Sequence, residues 1–244
     1  MSQTITYANF RDKILRDMDL EQEEFISPTE LIGYTNTAIG DAEALIHGLY
    51  EDYFLKLDTF GLTASQSDYD LPSDLYGDKL RRVLYNNPQD DLSKYVISQI
   101  KQFDVITDIL EDERFRYILV NESAGGRKMR FYPTPTMTAA NVVTRVYIRQ
   151  ANRIDDTADE ATINATVIDI PEFQSYLYAH VKLQIARKEK LGQDIQIAFQ
   201  HLASQAKLME DTLTSRIPDE DNHVMQDLSA YYDFYANDDL YFNR

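Results

Sequence analysis

The sequence predicts an α+β protein in which a bundle of about four helices carries a β-rich insertion and an extended C-terminal arm. Apolar residues recur every three or four positions near both ends of the chain, as in amphipathic helices. In the middle they alternate with polar residues, as in strands. The 244 residues are enough for one domain with an insertion. The predicted parts are the N-terminal bundle helices, the insertion with a short helix, the C-terminal bundle helices and the arm, at 1–52, 53–150, 151–217 and 218–244.

Two helices are predicted in the N-terminal part, from Asn9 to Leu20 and from Pro28 onward. The second has a strong start signal, because Ser27 can cap it, proline suits its first position and Glu30 completes a capping box. We expect Asp41 and Glu43 on its polar face. Its apolar stripe comprises Leu31, Ile32, Thr35, Ala38, Ile39, Ala42, Leu45, Ile46 and Leu49.

The middle of the chain reads mainly as strands separated by turns. Alternating or β-branched runs predict strands, two of which form a hairpin around Gly125-Gly126. The predicted strands cover residues 53–57, 79–85, 115–120, 127–132 and 141–149. Residues 67–74 are predicted as a turn-rich segment, 98–110 as a short helix and 155–165 as a polar loop.

Two further helices are predicted before the arm. The first opens at Pro171 and places Phe173, Leu177, Val181 and Ile185 on one face. The second is expected to be capped by Asp194 and to end by Pro218. Its predicted stripe comprises Ile195, Ala198, Phe199, Leu202, Ala206, Met209 and Leu213.

The arm combines acidity with aromatic residues. Seven acidic residues against the single Arg244 give it a net charge of −6. Leaving large aromatic side chains in water costs about 1.5–3 kcal/mol each relative to burial. They therefore either pack back on their own domain or anchor the arm to another chain, and we favour the second. The six aromatics are Tyr231, Tyr232, Phe234, Tyr235, Tyr241 and Phe242.

Composition excludes several classes of function. The chain has no cysteine, so disulfides, thiolate catalysis and cysteine zinc sites are ruled out. No apolar run reaches about 18 residues and no signal peptide is evident, so we expect no membrane segment and synthesis in the cytoplasm. The net charge of −17 disfavours tight non-specific binding of nucleic acid.

No motif points to a catalytic or metal site, and we expect no cofactor. The four histidines (His47, His180, His201 and His223) lack the spacing of a helical metal site. The acidic pairs Asp155/Asp156 and Asp159/Glu160 lack the glycine and spacing of a calcium loop. A carboxylate-based cell-wall hydrolase remains an alternative function, as does a non-viral partner-binding module. Basic residues in the insertion face DNA, an acidic partner strand or solvent; they are Lys79, Arg81, Arg82, Arg127, Lys128 and Arg130.

Three stretches, in this order, resemble the phage head-to-tail connector proteins, also called adaptor or head-completion proteins. They are Thr29-Glu30-Leu31-Ile32 through Asn36 and Ala38-Ile39; Tyr69-Asp70-Leu71-Pro72-Ser73-Asp74 with the strand Lys79 to Tyr85; and Phe131-Tyr132-Pro133-Thr134-Pro135, a strand, then Ile170-Pro171-Glu172-Phe173. The likeness spans about residues 27–215.

The resemblance implies a structural virion protein at the head–tail interface and not an enzyme. Its relatives form rings, commonly twelve-fold, beneath the portal protein and above tail proteins of the nozzle or tail tube. Double-stranded DNA passes through the ring during packaging and ejection without specific binding. C-terminal arms often reach into the portal, which fits the aromatic arm. A few relatives have been credited with cell-wall hydrolysis, but no motif here carries that activity over.

Overall fold

The computed structural model describes residues 5–20, 25–86, 94–100, 114–122, 126–189 and 192–216. Its helices are α1 (Tyr7–Asp17), α2 (Pro28–Leu49), α3 (Glu160–Ala165), α4 (Gln174–Glu189) and α5 (Gly192–Thr214), with 3₁₀ turns at Glu51–Phe54 and Pro171–Phe173. None of these helices is both long and apolar enough to cross a membrane. Together with the sheets below, they confirm the predicted α+β class.

The strands between the two groups of helices form two four-stranded sheets. They are β2 (Leu55–Leu62), β3 (Asp68–Asp70), β4 (Leu75–Tyr85), β5 (Tyr95–Val96), β6 (Ser98–Gln99), β7 (Arg116–Glu122), β8 (Gly126–Tyr132) and β9 (Ala139–Arg149). Sheet 1 has the order β2-β9-β4-β5 and sheet 2 the order β3-β8-β7-β6. A separate pair joins β1 (Ile5–Thr6) to β10 (Val167–Ile168), which ties the chain start to the segment before α4.

The two sheets pack face to face around an aromatic core. Val83 and Val143 of sheet 1 and Met129 and Phe131 of sheet 2 belong to one buried cluster. The ring of Phe60 lies 6.3 Å from that of Phe131. Successive side chains of a strand point to opposite faces, so each sheet turns one face toward this core and the other face away from it. The β-rich segment is therefore a sandwich with its own core.

The helices bury a second core. Phe10 of α1 is fully buried and its ring stacks on Tyr178 of α4 at 4.5 Å. The predicted apolar face of α4 and the turn before it is correct, since all four of its residues are buried in this cluster: Phe173, Leu177, Val181 and Ile185. Ile148 of β9 belongs to it as well, so the end of sheet 1 packs on the bundle.

The start of α2 confirms the predicted capping box. The Ser27 hydroxyl accepts the Glu30 amide at 3.2 Å, and the Glu30 carboxylate accepts the Ser27 amide at 3.0 Å. The same carboxylate accepts two bonds from Lys188 Nζ at 2.8 and 2.9 Å, so the cap also fastens α2 to α4. These partners, Lys188 foremost and Ser27 next, lower the pKa of Glu30 from 4.5 to about 2.

Glu30→Gln should reduce stability at neutral pH, and the difference from the wild type should shrink on acidification. The folded pKa of Glu30 lies below its unfolded value, so its contribution is present above pH 4.5 and is lost as pH falls toward 2. Urea denaturation at pH 6 and pH 3 measures both differences. Glu210→Gln is the matched control, because Glu210 is exposed on α5. A Glu30→Gln difference that is equal at both pH values contradicts the prediction.

Several predicted boundaries and elements were wrong. The turn-rich segment contains β3, whose Tyr69 pairs with Met129 of β8. Ser98 and Gln99 form β6 parallel to β7 and do not start a helix, while residues 101–110 lie outside the described residues. The polar loop contains α3. Long-range pairing decided the two strands, and local pattern does not report it. The start of α3 is instead marked by a local cap, Asp159.

The predicted cap of the last helix was also wrong. α5 begins at Gly192, so Asp194 lies within its first turn. The helix dipole stabilises a negative charge at that position. The hairpin prediction was correct: β7 and β8 pair antiparallel from Arg116–Tyr132 to Glu122–Gly126. Gly126 has a φ of +75°, a conformation that favours glycine, whereas Gly125 lies outside the described residues.

Candidate assembly surfaces

The basic residues of the sandwich are largely matched by acids of the same chain. Arg130 donates two hydrogen bonds to the carboxylate of Asp68, at 2.6 and 2.8 Å. These bonds lower the pKa of Asp68. Lys79 and Arg81 both contact Glu51. These pairs join neighbouring strands and the 3₁₀ turn. The other three of the six basic residues named from the sequence are Arg127, Lys128 and Arg82. Arg127 contacts Asp78, Lys128 is half-buried and Arg82 is exposed.

The predicted carboxylate pairs serve local structure. Asp155 accepts the Thr157 amide at 2.9 Å, and Asp159 caps α3 by accepting the Thr162 amide at 3.0 Å. Hydrogen bonds from the hydroxyls of Thr157 and Thr162, and then those from the amides, lower the pKa of both carboxyl groups. All four acids of the two pairs are exposed. Within the described ranges, no group of three or more acidic or histidine side chains could hold a metal ion.

The histidines occupy unrelated positions. His180 is buried and its Nε2 lies 2.8 Å from the Asp41 carboxylate. His201 is exposed on α5, and His223 lies outside the described residues. His47 is buried at the junction of bundle and sandwich, where its ring stacks on Tyr76 of β4 at 3.8 Å. Burial lowers the pKa of His47, which favours the neutral ring.

Glu43 is a buried carboxylate that the sequence analysis placed on a polar face, and that prediction was wrong. Its Oε1 accepts the Ala151 amide at 2.6 Å and its Oε2 accepts Arg153 Nη2 at 2.5 Å. His47 Nε2 is 3.7 Å from Oε1. Glu43 therefore links α2 to the chain that leaves β9, and so links the bundle to the sandwich. The missing signal was the distant partner, more than 100 residues away in sequence.

An apolar groove runs between α2 and α5. Its volume is about 730 Å³ and its walls combine small residues with Leu45, Leu49 and Met209. Leu45 was predicted in the buried stripe but is 37% exposed. The rest of the wall comprises Ala44, Gly48, Ala203, Ala206, Lys207, Glu210 and Asp211. A smaller groove on the other side of α5 is lined by Met18, Ala179 and Ile197, among others.

α5 exposes large apolar side chains on two sides, with Phe199 nearly opposite Ile197 and Leu208 around the helix. Ile197, Phe199 and Leu208 are each 57–59% exposed. Phe199 was predicted as a core residue, and that was wrong, whereas Met209 and Leu213 are buried as predicted. Exposed apolar residues beside a groove are typical of an interaction surface. Sequence periodicity missed this surface because it cannot tell which apolar side of a helix lacks a neighbour.

The edge of sheet 1 is a second apolar surface. Leu55 and Leu57 of β2 are 43% and 65% exposed. Alternation places both on the face that points away from the sandwich core, beside Val146 of β9. The alternation of residues 53–57 predicts a strand here but does not indicate an interaction surface.

The predicted portal-binding arm lies outside the described residues. This holds for Tyr231, Tyr232, Phe234, Tyr235, Tyr241 and Phe242. The last described residue is Arg216, whose guanidinium donates to the Glu172 carboxylate at 2.6 Å. The described part of the chain therefore ends beside the 3₁₀ turn that opens α4.

The sequence model of the SU10 adaptor protein family matches residues 5–238, which is nearly the whole chain and includes part of the predicted arm. A search of curated proteins finds no match. The family match agrees with the resemblance at the level of a phage adaptor and with a structural role. The chain belongs to the SU10 adaptor protein family, a family of phage structural proteins that contact other virion components.

Proposed function

We propose that the chain is the repeating subunit of a ring beneath the portal, which joins head to tail and conducts DNA. The groove between α2 and α5, together with the apolar side chains that α5 exposes, is the observation that carries this proposal. Exposed leucine and phenylalanine lower the solubility of a free chain, so their presence on the surface favours a role in binding another chain. Burial of these side chains by a second chain would contribute favourable free energy to assembly.

Ring closure requires two different faces on each subunit, because a head-to-tail contact joins unlike surfaces. The two grooves that flank α5 differ in shape and lining, which supports contacts of this kind. Twelve-fold symmetry and contact with nozzle or tail-tube proteins follow from the family resemblance and are part of the proposal.

Charge supports the passage of DNA without adhesion. The net charge of −17 repels phosphate, and most of the basic strand residues are already matched by acids. Each phosphate that a lysine or arginine neutralises adds salt-sensitive affinity, which would slow DNA sliding. An acidic channel wall avoids that drag.

The arm is proposed to bind the portal through its aromatic side chains. Tyr231, Tyr232, Phe234 and Tyr235 cluster within five positions, and Tyr241 and Phe242 follow near the end. Tyrosine is among the residues that carry most binding energy in interfaces. Aspartates between them keep the free arm soluble.

Mass photometry of the purified chain with purified portal tests the ring and the arm together. We expect the wild type to form a uniform complex of many subunits per portal. Leu45→Asp places a charge in the groove and should weaken ring formation at least about tenfold, equivalent to 1.4 kcal/mol per interface. Removal of residues 219–244 should leave a folded subunit that no longer docks.

Thr37→Asp is the control for the groove, because Thr37 is exposed on the same helix outside the groove lining. Circular dichroism checks that every variant folds. A wild-type chain that neither forms rings nor binds portal overturns the proposal. Rings of Leu45→Asp as abundant as those of Thr37→Asp remove the groove from the interface, and unchanged docking of the truncated chain removes the arm.

A further inference from the structure

The outer edge of β2 is open in the described part of the chain. β2 is the terminal strand of sheet 1 and pairs only with β9 among the described strands. It has eight residues, no proline, and an irregularity only at its far end, between Phe60 and Leu62. A row of backbone amides and carbonyls from Leu55 to Thr59 is therefore available to another strand.

The side chains of β2 give this edge little protection. Charges and prolines are the usual means by which proteins keep edge strands from pairing. The two charges here are engaged within the chain: Lys56 donates to Asp74 at 2.7 Å, and Asp58 contacts Arg145. The alternate positions, Leu55 and Leu57, present apolar surface to solvent. An edge of this composition fits an extended segment with an apolar face.

The C-terminal segment starts next to this edge. The guanidinium of Arg216 lies 5.9 Å from the ring centre of Tyr53, two residues before β2 begins. The chain between Arg216 and Tyr231 can span up to about 50 Å when extended. β2 itself is about 27 Å long. Residues from Tyr231 onward can therefore reach any point of the edge in the same subunit.

The pattern of residues 231–235 matches the edge. Tyrosine and phenylalanine favour strands. In an extended chain Tyr232 and Phe234 share one face, while Asp233 lies on the other. Against β2, this alternation allows the two aromatic rings to cover Leu55 and Leu57. Asp233 then falls on the face of Lys56.

We propose that in the free subunit residues 231–235 add as a strand to the outer edge of β2 of the same chain. The segment buries Leu55 and Leu57 and closes an edge that would otherwise pair with other proteins. Resting on the proposed function of the arm, this contact also regulates it: the aromatic residues are held on their own subunit and are released only when the portal competes for them. Assembly then starts at the portal and not in solution.

The absence of cysteine makes a disulfide test direct, because every thiol is an introduced one. Leu57→Cys is combined in turn with Tyr232→Cys and with Phe234→Cys in the full chain. Under mild oxidation we expect a disulfide within one monomer in at least one pair, seen by non-reducing electrophoresis and mass spectrometry of the linked peptides. Leu45→Cys with Phe234→Cys is the control, since Leu45 is a leucine with 37% exposure in the α2/α5 groove, away from β2.

Three results overturn the proposal. The first is a disulfide that joins two monomers, which would mean exchange between copies. The second is equal linkage to Leu45→Cys, and the third is no linkage in either pair. Hydrogen exchange adds an unmodified check: amides of Leu55–Thr59 should exchange at least about tenfold faster after removal of residues 219–244. Equal exchange in both chains also counts against the strand. Neither measurement uses portal. The two proposals can therefore fail separately, since a chain that does not dock on the portal can still show the strand on β2.

Discussion

Replacing Phe10 by alanine is expected to lower the free energy of unfolding by about 3–5 kcal/mol, which is typical of a buried phenylalanine. Phe10 is fully buried, and its ring stacks at 4.5 Å on Tyr178, which is itself buried. The variant leaves a cavity between α1 and α4 and removes this stacking. Because α1 is only 11 residues long, it depends on such packing to stay folded. Urea denaturation followed by circular dichroism measures the loss.

Phe199→Ala is the matched control for this prediction. The residue type is the same, but Phe199 is 57% exposed on α5, so its removal should change stability by about 0.5 kcal/mol or less. If Phe10→Ala costs no more than Phe199→Ala, the packing of α1 on α4 does not hold the bundle together. Phe199→Ala should instead reduce assembly with portal if α5 faces a partner.

Local signals were enough to predict the helices of the bundle. The capping box at Ser27 satisfies amides within the first turn, so its consequences are contained in four consecutive residues. Likewise, the four-residue steps of Phe173, Leu177, Val181 and Ile185 need a single core to face, and the structure supplies it. The hairpin of β7 and β8 was predictable for the same reason, since its partners are neighbours in sequence.

Distant partners explain what could not be predicted. Three residues from Asp68 to Asp70 become a strand only because β8, about 60 residues later, offers its edge. Glu43 looks like a solvent-facing residue until the chain after β9 brings the Ala151 amide to it. Neither interaction leaves a local pattern in sequence. Tertiary context overrides propensity at such positions.

The candidate surfaces divide in the same way. In the aromatic arm, residue type alone predicts binding, because nothing in the local sequence offers a core for the aromatic side chains, and this stays a prediction. By contrast, the exposure of Leu57, Phe199 and Leu208 depends on which neighbours are missing, and that is known only once the sheets and helices are assembled. Apolar periodicity indicates the residues that can be buried, and the fold determines which of them remain exposed.

Replacing Glu43 by leucine is expected to lower the free energy of unfolding by about 2–4 kcal/mol, although leucine is the more hydrophobic residue. The carboxylate is 5% exposed and accepts the Ala151 amide and the Arg153 guanidinium. Leucine cannot accept a hydrogen bond, so the amide becomes a buried donor without a partner. Arg153 is 39% exposed at its side chain and can turn to water, which limits its share of the loss.

Glu43→Gln separates the two parts of this effect. Glutamine keeps an oxygen for the Ala151 amide but loses the charge that pairs with Arg153, so its cost should be the smaller of the two, at about 1–2 kcal/mol. Glu210→Leu, at an exposed position on α5, controls for the chemical change and should cost about 0.5 kcal/mol or less. Urea denaturation gives all three values. A Glu43→Leu cost equal to that of Glu210→Leu would show that α2 and the end of β9 hold together without the carboxylate, by packing of Ile148 and its neighbours alone.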